Sequence, residues 1–216
     1  MDYLSADARR VVDLSGAPPD DLLAEMDTHG HERSFPTVGP AVGRLLRTLA
    51  RLVGASRIFE FGSGFGYSAA WFAEALPPDG EIVLTDFDEQ NLDEAREFLS
   101  RGGYADRARF VAGDAMETFR ESEGPWDVVL VDHEKTEYRA ALEMLREELA
   151  TPAVVVADNV LAGPADPGDI RAALEGDPPG DTAAGIAAYI KGVRDDPAFE
   201  TSLVPLGEGI TVSYRG

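Results

Sequence analysis

Along this chain, short apolar runs alternate with longer stretches in which apolar residues recur every three or four positions. Ile58, Phe59 and Phe61 mark the first run. Others follow at Glu81–Asp86, Ala108–Ala112, Trp126–Asp132 and Ala153–Ala157. Each has the length and β-branched content of a strand, and Trp126–Asp132 is nearly continuous in apolar residues, as a strand buried on both faces should be. Between them, Val38–Leu52 carries Val42, Leu45, Leu46, Leu49 and, just beyond, Val53 on one helical face. Tyr67–Leu76, Asn91–Arg101 and Thr136–Leu149 also read as helices. Strands separated by helices of this length predict βαβ units and a mostly parallel sheet, an α/β fold. The ends differ. Residues 1–35 are polar and broken by Gly16-Ala17-Pro18-Pro19-Asp20, with a short helix expected on either side. Gly163–Thr182, rich in proline and aspartate, predicts a loop holding at most one short helix. Ala183–Arg194 is helical, and strands at Thr201–Val204 and Ile210–Ser213 flank Pro205-Leu206-Gly207-Glu208-Gly209 as an antiparallel, hairpin-like ending. No linker or repeat divides the chain, so residues 1–216 are expected to form one domain, an N-terminal helical segment (1–35) followed by a catalytic core (36–216).

The first run leads into Glu60-Phe61-Gly62-Ser63-Gly64-Phe65-Gly66-Tyr67-Ser68. Strand, glycine loop and helix form the first crossover of a doubly wound domain, a place where nucleotides bind. The spacing is Gly-x-Gly-x-Gly rather than that of dinucleotide binders, and Glu60 stands two residues before Gly62. A carboxylate there repels a pyrophosphate and suits an ammonium. That favours S-adenosylmethionine (SAM), which has an amino-acid moiety and no phosphate, over NAD.

In open α/β sheets ligands sit at the carboxyl ends of the strands. The second strand ends in Asp86, suited to both ribose hydroxyls. The third leads to Gly113-Asp114-Ala115, where Asp114 either meets an adenine amine or caps the next helix. The fourth ends in Asp132-His133-Glu134-Lys135 and the fifth in Asp158-Asn159. Asp132, Asp158 and Asn159 would together make an all-oxygen set for a hard cation such as Mg²⁺. His133 should point away from Asp132, so packing or solvent exposure is expected of it rather than ligation. Glu134 shares the side of Asp132 and is a candidate contact for the cofactor or the metal's surroundings. Only Lys135 and Lys191 are lysines among the 19 basic residues. A lysine beside a metal site can lose its proton where arginine cannot, so Lys135 reads as a general base, with a salt bridge as the plainer alternative.

Composition narrows the classes. With no cysteine, neither a disulfide framework nor a thiolate metal site is possible. Met1-Asp2-Tyr3-Leu4-Ser5 shows no basic segment and apolar run of a leader, and no apolar run approaches the ~20 residues of a membrane span. A soluble cytoplasmic protein without membrane contact is expected. The net charge of −21 is spread along the chain, as in adaptation to a salty cytoplasm. It disfavours nucleic acid, which needs clustered basic residues, although Arg44, Arg47 and Arg51 line up along one helix.

From about Ser34 to the C-terminus the sequence resembles the metal-dependent O-methyltransferases, the family of catechol and caffeoyl-CoA O-methyltransferases. The likeness rests on Phe35-Pro36-Thr37-Val38-Gly39-Pro40, the glycine loop, Asp86, Gly113-Asp114-Ala115, Asp132-His133-Glu134-Lys135 and Ala157-Asp158-Asn159-Val160-Leu161. Many relatives have Asp-Ala-Asp-Lys at the fourth of these. The resemblance implies a Rossmann-like fold, a mostly parallel seven-stranded sheet with helices on both faces and an antiparallel strand at one edge. It implies a SAM site of Thr37, Glu60, Gly62, Ser63, Ser68, Asp86 and Ala115, with Asp114 and Asp132 beside it. It also implies Mg²⁺ on Asp132, Asp158 and Asn159, and Lys135 as base. The expected reaction is methyl transfer from SAM to a small catechol-like acceptor, in a member of haloarchaeal type, with a homodimer as the candidate assembly. The rival readings are methylation of a hydroxylated uridine in tRNA and SAM binding without catalysis.

Overall fold

The computed structural model describes residues 4–216; Met1, Asp2 and Tyr3, which entered the reading of the N-terminus, lie outside them. Two helices, α1 (Ala6–Ser15) and α2 (Asp21–Glu32), precede α3 (Gly39–Val53). Then come β1 (Arg57–Phe61), α4 (Tyr67–Ala73), β2 (Glu81–Asp86), α5 (Glu89–Arg101), β3 (Ala108–Ala112), α6 (Ala115–Glu121) and β4 (Trp126–Val131). The chain ends with α7 (Tyr138–Leu145), β5 (Leu149–Ala157), α8 (Pro167–Glu175), α9 (Asp181–Asp195), β6 (Glu200–Val204) and β7 (Ile210–Arg215).

Among the described residues, seven strands form one sheet in the order β3-β2-β1-β4-β5-β7-β6. The first five are mutually parallel, whereas β7 runs antiparallel to both β5 and β6. Alternate residues of the central strands face two apolar layers. Phe59, Phe61, Val129, Val131 and Val155 pack with α6, α7, α8 and α9. Ile58, Val128, Leu130 and Val156 pack with α2, α3, α4 and α5. Fully burying such a side chain stabilises the fold by roughly 1.5–3 kcal/mol each.

Several elements depart from the periodicity. The helix expected to reach Leu76 stops at Ala73, because Leu76 precedes Pro77 and the residue before a proline is steered away from helical backbone. The helix expected over Thr136–Leu149 is reduced to Tyr138–Leu145, with single 3₁₀ turns on either side. Strand β5 starts four residues earlier than Ala153, at Leu149. It carries Pro152 because its register against β4 shifts between Trp126 and Val128, and a proline is tolerated at such an irregularity. The N-terminal helices form on either side of Gly16–Asp20, as expected. Asp20 caps α2 through Leu23 N at 2.8 Å. Leu23 and Met26 of α2 then join the core alongside Val42 and Leu46, whereas α1 buries none of its residues. Among the described residues, no helix is long and apolar enough to cross a membrane.

Candidate active site

The sheet reverses its winding between β1 and β4, which opens a crevice at their carboxyl ends. There the backbone ladder runs on past the strands. Asp132 N donates to Phe61 O at 2.9 Å and Asp158 N to Val131 O at 3.1 Å. The glycine loop, Asp132 and Asp158 are therefore set side by side. Gly62 has φ +81°, and a Cβ there would lie 2.5 Å from the Asp132 carbonyl oxygen, so only glycine lets these two strand ends meet. Above them lies a cavity of about 640 Å³, within the usual range for a small-molecule site.

Thr37, Gly62, Ser63, Ser68, Asp86, Asp132, Lys135, Asp158 and Asn159 line that cavity. Glu60, Asp114 and Ala115 do not. Glu60 is 0 % exposed and lies beneath the lining, on β1. Neither carboxylate oxygen has a hydrogen-bond partner among the described residues. Burial pushes its carboxyl up to about 8; the nearby Ser68 hydroxyl offsets this in part, and Asp132 adds to it. A buried carboxyl left this way calls for a cation, and the ammonium of an amino acid is one. Asp86 receives Gly64 N at 2.9 Å on one oxygen, and Asp88 N and Asn91 Nδ2 at 2.8 and 3.1 Å on the other, which fixes it against the loop. Of the two roles open to Asp114, the capping role is seen: Oδ1 accepts from Met116 N at 2.7 Å.

The chemistry-bearing end is tightly coupled. Lys135, 9 % exposed, donates from Nζ to Asp132 Oδ1 at 2.9 Å and to the Tyr138 hydroxyl at 2.7 Å. Tyr138 in turn donates to the Asp158 carbonyl at 3.1 Å. The salt bridge weighed as the alternative for Lys135 is thus present, with Asp132 as its partner. Asp158, 4 % exposed, accepts Asn159 N on Oδ1 at 2.8 Å. Desolvation, then the charge of Asp132, pushes its carboxyl up to about 8. Burial also raises Asp132, against the pull of Lys135. Asp132 and Asp158, the second raised by the charge of the first, line one cavity wall with Asn159, and such an oxygen-bearing set suits a hard cation. Among the described residues no three His, Cys, Asp or Glu side chains converge as a metal cage.

His133 packs rather than ligates. Its ring lies 5.1 Å from Phe61 and 5.5 Å from Tyr138, and burial lowers it to about 4, so it is neutral there. Two residues escape a reading by strand ends. Tyr138 is one helical turn beyond Lys135, and its apolar surroundings disguise its hydroxyl. Glu208, on the β6–β7 turn, accepts from Asn159 Nδ2 at 2.7 Å across 49 residues of sequence.

A model of the O-methyltransferase family matches residues 19–216. The chain belongs to this family. It is a SAM-dependent O-methyltransferase of the catechol and caffeoyl-CoA type. A catechol O-methyltransferase of Niastella koreensis is 30 % identical over 157 residues, 70 % of this chain and 71 % of that one. Caffeoyl-CoA O-methyltransferase 1 of Eucalyptus globulus is 28 % identical over 204 residues, 87 % of this chain and 78 % of the relative. Among solved structures, the O-methyltransferase of Streptomyces achromogenes involved in tomaymycin synthesis, in complex with SAM, shares the fold. Its TM-score is 0.84 at 24 % identity, covering 98 % of this chain and 99 % of that one. The family expected from the motifs, its α/β fold and the reversed strand are all present.

Proposed function

We propose that this O-methyltransferase methylates one hydroxyl of a small vicinal diol of the catechol class, with a divalent cation held by Asp132, Asp158 and Asn159. The observation that supports it most is the placing of Asp132 and Asp158 beside Lys135 at the cavity wall, where the charge of Asp132 pushes the Asp158 carboxyl up. When bound, SAM supplies an electrophilic methyl group and the cation supplies Lewis acidity that makes a hydroxyl easier to ionise. The chain does the rest. Glu60 pairs with the ammonium of the donor and Asp86 with its ribose. Thr37, Gly62, Ser63 and Ser68 wall the donor's chain, and Asp114 and Ala115 mark the adenine end. Lys135 takes the proton of the acceptor hydroxyl at Nζ. Holding donor and acceptor in line removes much of the entropic barrier.

The lining also speaks to the acceptor. Lys135 is the one basic side chain among the described lining residues, against Asp86, Asp132, Asp158 and Glu208. Net negative charge in the lining would repel a thioester carrying several phosphates but not a neutral or cationic catechol. The arginine row on α3 is engaged within the protein: Arg44 on Val12 O, Arg47 with Glu74, Arg51 on Glu74 O. That weighs against a tRNA backbone as partner. Transfer of labelled methyl across a panel tests this reading. Catechols should accept, while the monophenol, caffeoyl-CoA and tRNA carrying hydroxylated uridine should accept little; transfer to the thioester or the RNA alone would refute it.

Two further outcomes are expected. Because Glu60 stands near 8 without a cation partner and must ionise to pair with an ammonium, SAM binding at pH 7 should release protons. Calorimetry in buffers of different ionisation enthalpy should show that release in the wild type, and Glu60→Gln should remove most of it. Separately, a chain of charge −21 should melt at higher temperature as KCl rises from low to molar, because screening relieves carboxylate repulsion. A flat or falling Tm would count against a halophilic origin.

A further inference from the structure

Glu208 sits where the β6–β7 turn crosses the loop after β5. Its own backbone carbonyl accepts Leu161 N at 3.1 Å and Ala162 N at 2.8 Å, and the neighbouring Gly209 carbonyl accepts Val160 N at 2.9 Å. The turn is thereby tied to the segment that carries Asn159. Gly163 leaves the room in which the Glu208 side chain lies, since a Cβ there would collide with its carboxylate. From this seat Oε2 accepts from Asn159 Nδ2 at 2.7 Å. A carboxylate can only accept, so the amide must present its nitrogen to Glu208, and Oδ1 becomes the end left for another partner. Asn159 has φ +55° and its N–H on Asp158 Oδ1, so its backbone is held as well.

We infer that Glu208 is a positioning residue for the cation site: it orients the Asn159 amide so that Oδ1, not Nδ2, is offered to the metal. This rests on the reading of Asp132, Asp158 and Asn159 as that site. Hydrogen-bond partners behind a metal ligand are typically worth about 10–100-fold in metal affinity.

The test uses Mn²⁺ alone with the full chain, following free Mn²⁺ by electron paramagnetic resonance at fixed pH. Wild type should bind; Glu208→Ala should bind about 10–100-fold more weakly. Glu208→Gln, which can accept but also donate, should keep part of the loss at bay. In an Asn159→Ala background, Glu208→Ala should change affinity by less than about threefold, because its route through the amide is gone. Glu208→Ala equal to wild type would overturn the inference. So would Glu208→Gln as weak as Glu208→Ala, or a full further loss in the Asn159→Ala background, which would make Glu208 a ligand or a bare charge. Wild type that binds no Mn²⁺ would overturn the cation site itself. Glu208 is exposed on its turn, and equal melting temperatures will show that the variants fold.

Discussion

Asp158→Asn should abolish methyl transfer while leaving SAM affinity nearly unchanged and the metal-free protein at least as stable as wild type. The loss follows from charge. An asparagine keeps the shape of Asp158 and can still accept from Asn159 N, but it gives a cation no carboxylate. If the cation contributes the several kcal/mol usual for Lewis-acid assistance, turnover should fall by about 10³-fold or more. The stability follows from burial. Asp158 is 4 % exposed, and its carboxyl rises from 3.8 to about 8 in the fold. Its ionisation therefore opposes folding: the penalty is absent below about pH 4, grows as pH rises towards 8, and is full above it. Asparagine carries no such penalty, so thermal melts should show the variant's advantage at pH 7–9 and its disappearance near pH 4. A stabilised, SAM-binding, inactive protein separates a functional carboxylate from a structural one; an active Asp158→Asn would remove it from the cation site.

Lys135→Met should lower turnover by about 10²–10⁴-fold, the usual worth of a general base. Without the amine, the acceptor hydroxyl must lose its proton to water or hydroxide. Part of the lost rate should therefore return as pH rises, giving a profile that climbs where the wild type has levelled. Lys135→Arg should not rescue, because a guanidinium keeps its proton. The variants also test the ion pair with Asp132. Lys135 Nζ lies 2.9 Å from Asp132 Oδ1; arginine keeps a positive charge there, whereas methionine removes it. If Lys135→Arg retained near-normal turnover, the residue would be a charge that holds Asp132 and not a base.

The fold was legible because its signals are local. The apolar runs at 58–61, 81–86 and 126–132 are each short enough to be strands, and Gly62, the first glycine after Phe61, sits where β1 must approach the Asp132 carbonyl. Asp86, Asp132, Asp158 and Asn159 were readable because the carboxyl ends of parallel strands share one edge of the sheet. What escaped depends on contacts across the fold. Glu208 reaches Asn159 only because β7 inserts beside β5, a pairing that spans residues 153–157 and 211–215. Tyr138 looks like a core residue, and by burial it is one; its role as the bridge between Lys135 and the Asp158 carbonyl depends on a hydroxyl whose partners lie on two other segments. Pro152 hid the first half of β5, since a proline argues against a central strand unless the register slips there. The polar look of residues 21–32 likewise hid Leu23 and Met26, whose burial depends on α4 and α5 closing over them.

Metal-assisted transfer to a vicinal diol is tested most directly by one assay. Chelator-treated protein is incubated with methyl-labelled SAM and catechol, first without metal and then with Mg²⁺ added in excess of the chelator. The expected result is label in the monomethyl ether of catechol only after Mg²⁺ is restored, with Asp158→Asn silent under both conditions. Equal label in catechol with and without the cation, or none in either, would contradict it.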